Sequence, residues 1–455
     1  MTGTPTIRGL PMNALANFFT RLVNRYMPDP LVIAILLTML TMLLAVLMQG
    51  TSPLNAVRYW GDGFWDLLAF SMQMTVILLA GYILAKTPLV DGILNRVAAR
   101  VTTPFVAIVV ATLVGGIGSW LNWGFGLVIG GIVAQKLALN VKGLHYPLVI
   151  AAAYSGFALY GIGLSGSVPL LIATEGHFLQ DTIGLIPLSE TIFSPILLIT
   201  SALILLTLPF FNAWLHPKHA EDIVEIDPTT VAKPSVAPLP NDTKTTTAER
   251  LNRSKVVGIG IGALGMLYIA LYAFDGGSLN LNTINFAFLF LGILLFASPA
   301  NYLAALTDGI RIVSGIIVQY PFYAGIMGIL VGSGLVVSFA NTFVDISSAQ
   351  TLPIWSFISG AIINLLAPSG GGQWAVQGPV MVQAATELGA SQAATALAVQ
   401  IGDQWSNMVQ PFWILPVLAI SGLKLRDVMG YMVLILIYLG VIYASAMLIW
   451  GYLGA

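Results

Sequence analysis

One acid, Asp403, lies in the interior of an apolar run covering 391–422, and Gln404-Trp405-Ser406-Asn407 and Gln410-Pro411 follow it. A charge at such depth costs roughly 3 kcal/mol on insertion scales, so Asp403 must face protein or water. Two roles fit it: binding a coupling proton or cation, or capping the helix segment after the break by accepting a backbone N–H. Three further interruptions stand in apolar runs: Pro368-Ser369-Gly370-Gly371-Gly372-Gln373, Asn122-Trp123-Gly124-Phe125-Gly126 and Ser165-Gly166-Ser167-Val168-Pro169. Lipid offers no partners to open backbone, so such breaks are tolerated only inside protein or along a wet cavity. Freed amides at half-helix N-termini carry partial positive charge, so a small carboxylate can be held there without lysine or arginine. The candidate binding set is Asn122, Trp123, Gly124, Gly126, Ser165, Gly166, Ser167, Asn364, Ser369, Gly370, Gly371, Gly372, Gln373, Trp374 and Asn407, with Asp403 for ion coupling. Trp123, Trp374, Trp405 and Trp413 stand beside the breaks and suit an apolar wall for a short acyl chain.

Catalytic signatures are missing. Gly163-Leu164-Ser165-Gly166-Ser167 lacks the last glycine of a nucleophile elbow, and no glycine-rich stretch carries the Lys-Ser/Thr of a phosphate loop. His145, His177, His216 and His219 fall at loops or run ends, and there is no cysteine. No cofactor and no metal site is expected, and no disulfide is possible.

The elements that must position these residues are membrane helices. Only 8% of the 455 residues are charged, against about a quarter in soluble domains. With a net charge of −1, nothing points to nucleic acid. The expected class is an all-α polytopic membrane protein in which an inverted repeat supplies two re-entrant hairpins and broken transmembrane helices. Residues 1–30, with Arg8, Arg21 and Arg25 among aromatics, predict an interfacial helix without a cleavable signal. A first membrane half covers 31–215, with runs at 31–49, 65–85, 105–138, 146–174 and 185–215. A polar cytoplasmic linker covers 216–254. The second half, 255–455, has runs at 256–274, 283–299, 308–335, 351–389, 391–422 and 428–452. Reading 105–138 and 351–389 as hairpins that return to their starting face leaves nine crossings. All but Arg58 of the 18 lysines and arginines then lie inside. Trp60, Trp65 and Trp450 read as interfacial belt residues, and Gln73 and Gln319 as interhelical hydrogen-bonding groups.

A shift of 246 residues superposes Asp62-Gly63 on Asp308-Gly309, Gln73 on Gln319, Gly124 and Gly126 on Gly370 and Gly372, and Gly156 on Gly402. One register held over this length predicts two copies of one unit. The copies face opposite ways, so their hairpin tips approach each other from opposite faces.

Several stretches resemble the short-chain fatty acid transporter family of bacteria (AtoE-like proteins). They are Met27-Pro28-Asp29-Pro30-Leu31, Trp60-Gly61-Asp62-Gly63-Phe64-Trp65, the Asn122–Gly126 and Ser165–Ser167 breaks, Gln319-Tyr320-Pro321-Phe322-Tyr323, Pro368 to Pro379, and Gln404 to Pro416. The resemblance covers the chain apart from its linker and extends distantly to the ion transporter superfamily. It implies uptake of acetate, propionate, butyrate or acetoacetate across the bacterial inner membrane, coupled to a proton or sodium ion by alternating access, and a homodimer. A sodium-coupled carrier of another small organic anion and a membrane-embedded enzyme are the alternatives.

Overall fold

The computed structural model describes residues 30–228, 246–364 and 370–453, which are all-helical apart from turns and loops. The expected N-terminal interfacial helix and the Pro368-Ser369 pair lie outside these residues. The first half contains α1 (Pro30–Gln49), α2 (Pro53–Gly63), α3 (Leu68–Ala85), α4 (Pro88–Arg100), α5 (Pro104–Leu121), α6 (Trp123–Asn140), α7 (Tyr146–Ser155), α8 (Ser167–Ile172) and α9 (Pro195–Trp214). The second contains α10 (Lys255–Phe274), α11 (Leu281–Phe296), α12 (Pro299–Ser333), α13 (Leu335–Ile346), α14 (Leu352–Asn364), α15 (Gly370–Leu388), α16 (Gln392–Ser406), α17 (Pro411–Ser421) and α18 (Leu425–Leu453).

Helix starts follow a capping rule. Ser52, Thr103 and Ser298 each accept a backbone N–H from the first turn, and Pro53, Pro104 and Pro299 come next. Proline there lacks only an N–H that no helix bond would use. Eight helices among the described residues are long and apolar enough to cross a membrane. Both arms of the first hairpin are among them, so pairing must decide their path. Gly126 packs on Ser119 and Gly130 on Gly115, so α5 and α6 run antiparallel. At its far end α6 returns to the segment that precedes α5: Lys136 forms an ion pair with Asp91 of α4 at 3.0 Å and donates to Asn95 at 2.5 Å. The second hairpin pairs likewise. Gln373 Nε2 donates to the Gly360 carbonyl at 2.8 Å, Gln377 to Ser359 at 2.8 Å, and Ser356 to the Met381 sulfur at 3.3 Å.

The 29-residue α18 shows where the two hairpins are rooted. Near its N-terminus lie the end of α6 and the start of α7. Gln135 donates to the Ile420 carbonyl at 2.9 Å, Tyr146 Oη to the Ser421 carbonyl at 2.8 Å, and His145 meets Tyr431 at 3.1 Å. At the other end of α18, Gly451 packs against Gln350, just before α14. The two hairpin bases therefore sit at opposite ends of one long helix.

The 246-residue register reappears, to within two residues, in the helix starts. α2 and α12 begin at 53 and 299, α4 and α13 at 88 and 335, and α5 and α14 at 104 and 352. The pattern continues with α6 and α15 at 123 and 370, and α7 and α16 at 146 and 392. Gly156 and Gly402 play the same part in each copy. A Cβ on Gly156 would lie 2.1 Å from the Gly116 nitrogen of α5, and one on Gly402 would lie 2.2 Å from the Phe357 oxygen of α14. Only glycine lets each broken helix lie this close to the first arm of its hairpin.

Several expectations are corrected. The run at 308–335 belongs to a helix that starts at Pro299, and Gly334 (φ +82°) then turns the chain by 80° into α13. The amphipathic helices α4 and α13 were not anticipated: α4 is too polar for a spanning run, and α13, at 12 residues, is too short for one. The run at 185–215 becomes α-helical only at Pro195, after a 3₁₀ turn at Leu188–Glu190. Trp65 is 60% exposed, as a belt residue would be. Trp60 packs against Phe64 and Phe322, and Trp450 is buried. Gln73 does bond between helices, donating to Asn282 at 2.7 Å.

The first residues of the linker are strapped to the loop before α7. The Val224 N–H donates to His145 Nδ1 at 3.0 Å, the Tyr146 N–H to the Val224 carbonyl at 2.8 Å, and the Gly143 N–H to Glu225 at 2.5 Å. With Nδ1 accepting, His145 is neutral and carries its proton on Nε2. Burial, reinforced by His216 beside it, pushes its pKa from 6.5 down to about 4. The strap is therefore fully stable above pH 6.5 and weakens as pH falls from 6.5 towards 4. A spin label at Val224→Cys should gain mobility over that interval, and mobility constant from pH 7.5 to 4.5 would reject the His145 latch.

Candidate functional site

The first hairpin tip, the start of α15 and both broken helices converge on one cavity lined by Met74, Trp123, Phe157, Tyr160, Ser167, Tyr320, Gly370 and Trp413. Its wall is aromatic. Trp123 meets Trp413 edge-to-face at 5.3 Å, and Phe157 stacks on Tyr160 at 4.5 Å and 11°. No lysine or arginine lines it among the described residues. Its polar groups are hydroxyls, indole N–H groups and the N-terminal end of α15 at Gly370, whose dipole places partial positive charge there.

Gly156–Ile162 forms a 3₁₀ stretch between α7 and α8, and the chain turns between α16 and α17. Side chains of α16 satisfy what the first break leaves open. Gln400 Oε1 accepts the Val168 N–H at 3.0 Å, and Gln404 Oε1 accepts the Gly161 N–H at 2.8 Å. Asp403 Oδ2 accepts from the Tyr160 hydroxyl, from Gln400 Nε2 at 3.3 Å and from Asn407 Nδ2 at 3.3 Å. Asp403 is 1% exposed, and its Oδ1 has no hydrogen-bond partner among the described residues. The side chain faces the first break and does not cap α17.

The candidate residues divide into groups. Trp123, Ser167 and Gly370 line the cavity. Asn122 holds the first tip in shape: its Oδ1 caps α6 at the Phe125 N–H, 2.9 Å, and its Nδ2 donates to the Ile77 carbonyl at 3.0 Å. Ser165 accepts the Trp123 N–H at 2.8 Å, and Gly166 lies against the Gly161 carbonyl. Gly124 packs on Leu78 and Gly126 on Ser119. Gly371 lies against Phe70 and Tyr320, Gly372 against the Tyr323 ring. Gln373 ties the second hairpin's arms together, and Trp374 is fully buried away from the cavity. Asn364 Nδ2 lies 2.7–2.9 Å from Asn407 Oδ1, Ser406 Oγ and the Asp403 carbonyl, joining α14 to the second break. The Asn407 carbonyl in turn accepts the Tyr154 hydroxyl at 2.7 Å. Trp405 turns away, donating to the Leu436 carbonyl at 2.7 Å. Ser369 lies outside the described residues.

Met74, Phe157, Tyr160, Tyr320 and Gln400 were not among the site residues expected from sequence. One signal was available. Gln400, Asp403 and Gln404 occupy positions i, i+3 and i+4, a polar stripe on one helix face in an otherwise apolar run.

The fold is shared with solved membrane-protein structures. It superposes on the YdaH transporter of Alcanivorax borkumensis with a TM-score of 0.60 at 14% identity, covering 93% of this chain and 98% of that one. It superposes on MtrF of Neisseria gonorrhoeae, described with a class of antimetabolite efflux pumps, with a TM-score of 0.53 at 14% identity, covering 97% and 98%. At that identity the likeness is one of fold. Sequence is more specific: residues 11–450 match the family described as "Short chain fatty acid transporter". A protein of Escherichia coli (strain K12) named "Putative short-chain fatty acid transporter" is 41% identical over 432 residues, covering 94% of this chain and 98% of its own. One of the same name from Haemophilus influenzae is 39% identical over 435 residues, covering 94% and 97%. The chain belongs to the short-chain fatty acid transporter family.

Proposed function

We propose that the protein is a secondary transporter that takes up short-chain fatty acids such as acetate, propionate, butyrate or acetoacetate across the bacterial inner membrane. Uptake is coupled to a proton or sodium ion by alternating access. The observation that carries this reading is the meeting of the two hairpins, rooted at opposite ends of α18, in one aromatic cavity through Trp123 and Gly370. The hairpins are re-entrant, each entering from one face and returning to it. The carboxylate lies at the α15 N-terminus beside Ser167 and Tyr160, and the acyl chain lies against Trp123, Phe157 and Trp413. Asp403 binds the coupling ion. The linker lies in the cytoplasm between the two membrane halves, and the working unit is a homodimer.

The test is uptake of labelled acids into proteoliposomes, with leakage into protein-free liposomes subtracted. Imposed separately, the proton and sodium gradients should identify the one that drives saturable accumulation. Absence of saturable uptake of every C2–C6 acid under both gradients would reject the substrate class. Accumulation under neither gradient, with exchange intact, would reject ion coupling.

A further inference from the structure

We propose that Tyr160 passes the coupling proton between the cavity and Asp403, which makes the coupling ion a proton and Tyr160 the residue that enforces it. This rests on the transport function proposed above. Asp403 is almost wholly buried and does not line the cavity, whereas Tyr160 does. The Tyr160 hydroxyl donates to Asp403 Oδ2. Its oxygen accepts from Gln400 Nε2 at 3.1 Å. That amide cannot turn round freely, because its own carbonyl is held by the Val168 N–H. The phenol ring is clamped against Phe157. A Cβ on Gly370 would lie 3.0 Å from the Tyr160 hydroxyl, 3.3 Å from Gln400 Nε2 and 3.3 Å from Ser167 Oγ, so the start of α15 opens onto this hydroxyl. Tyr160 thus joins the cavity, whose wall it forms, to the buried acid, which its hydroxyl contacts.

The proton balance is simple. A hydronium ion in the open cavity gives a proton to the Tyr160 oxygen while the Tyr160 proton moves to Asp403 Oδ2. The O–H bonds of hydronium and tyrosine break, new ones form at tyrosine and Asp403, and water is left behind. Asp403 becomes neutral, and the substrate binds in the cavity as the carboxylate. After the carboxylate leaves at the other face the relay runs backwards and returns the proton to water. The neighbouring titratable groups, Tyr154 and Tyr320, do not bridge in this way. Tyr154 donates to the Asn407 carbonyl, and no hydrogen bond joins Tyr320 to Asp403 among the described residues.

Tyr160→Phe removes the hydroxyl and keeps the ring stack. With full-length protein in liposomes and labelled acetoacetate as probe, two rates separate the roles: exchange between equal pools, which needs no net proton movement, and accumulation driven by an inward proton gradient. Exchange should slow but persist in the variant, because the hydroxyl also faces the substrate, whereas steady-state accumulation under a gradient of one pH unit should fall about tenfold, to simple equilibration. Its exchange should also lose the parent's pH dependence. Parental accumulation in the variant would overturn the proposal, as would accumulation in the parent that follows sodium and ignores protons. Joint loss of exchange and accumulation would also overturn it, because the hydroxyl would then serve binding. A parent without saturable uptake would instead overturn the transport function itself.

Discussion

Asp403→Asn should reduce the steady-state accumulation of substrate to the ratio set by simple equilibration. With one proton carried per substrate, a gradient of one pH unit sustains about tenfold accumulation, equivalent to about 1.4 kcal/mol. The asparagine cannot take up a proton, so that tenfold ratio should vanish. Exchange should survive, since the substitution is isosteric and the Asn364 bond to the backbone carbonyl at 403 is untouched. The measurement is the internal-to-external ratio at steady state under an imposed gradient, and a ratio equal to the parent's removes Asp403 from coupling. The outcome also separates the two roles open to this acid from sequence alone. A cap would have left a folding defect as the main consequence, but in the fold the side chain serves Tyr160, Gln400 and Asn407.

Gly370→Val should block transport without unfolding the protein. The first added carbon already comes within 3.0 to 3.3 Å of three polar groups, and the two further methyls project into the cavity. Crowding of one or two methyl groups is worth about 1–3 kcal/mol, so exchange should fall by about tenfold or more. Gly370→Ala asks its neighbours for only a few tenths of an ångström and should cost much less. Gly372→Ala provides the contrast: its Cβ would lie 2.3 Å from the Tyr323 ring carbon, so its expected signature is reduced thermal stability of the detergent-solubilised protein. Equal exchange in Gly370→Val and parent would move the substrate away from the α15 tip.

Some of this was legible in the chain because it depends on local chemistry. The breaks at Asn122–Gly126 and Ser165–Pro169 stand out since proline, serine and glycine clusters have no place in lipid-facing helix. The 246-residue register survives because backbone-driven positions such as Gly156 and Gly402 recur where two helices touch. Roles within the breaks were harder to read. Gly124, Gly126, Gly371 and Gly372 have the composition of a binding loop, yet each lies against a neighbouring chain segment or side chain. Asn122 is polar because it caps α6, not visibly because a ligand needs it. Conversely, Tyr160 and Phe157 sit in an ordinary apolar stretch, and only the 3₁₀ winding of Gly156–Ile162 brings their rings together and turns Tyr160 towards α16. Partnership across some 240 residues leaves no local mark.

The rooting of the hairpins at the two ends of α18 also sets the depth of the site. The second arms, α6 and α15, have 18 and 19 described residues, about 27 and 28 Å at 1.5 Å per residue, beside an α18 about 43 Å long. Near-equal arms of similar tilt, entering from opposite ends, bring their tips to similar depths. On the proposed topology an ion or acid bound there has crossed about half of the electrical distance, so the membrane potential acts on the inward and the outward leg alike.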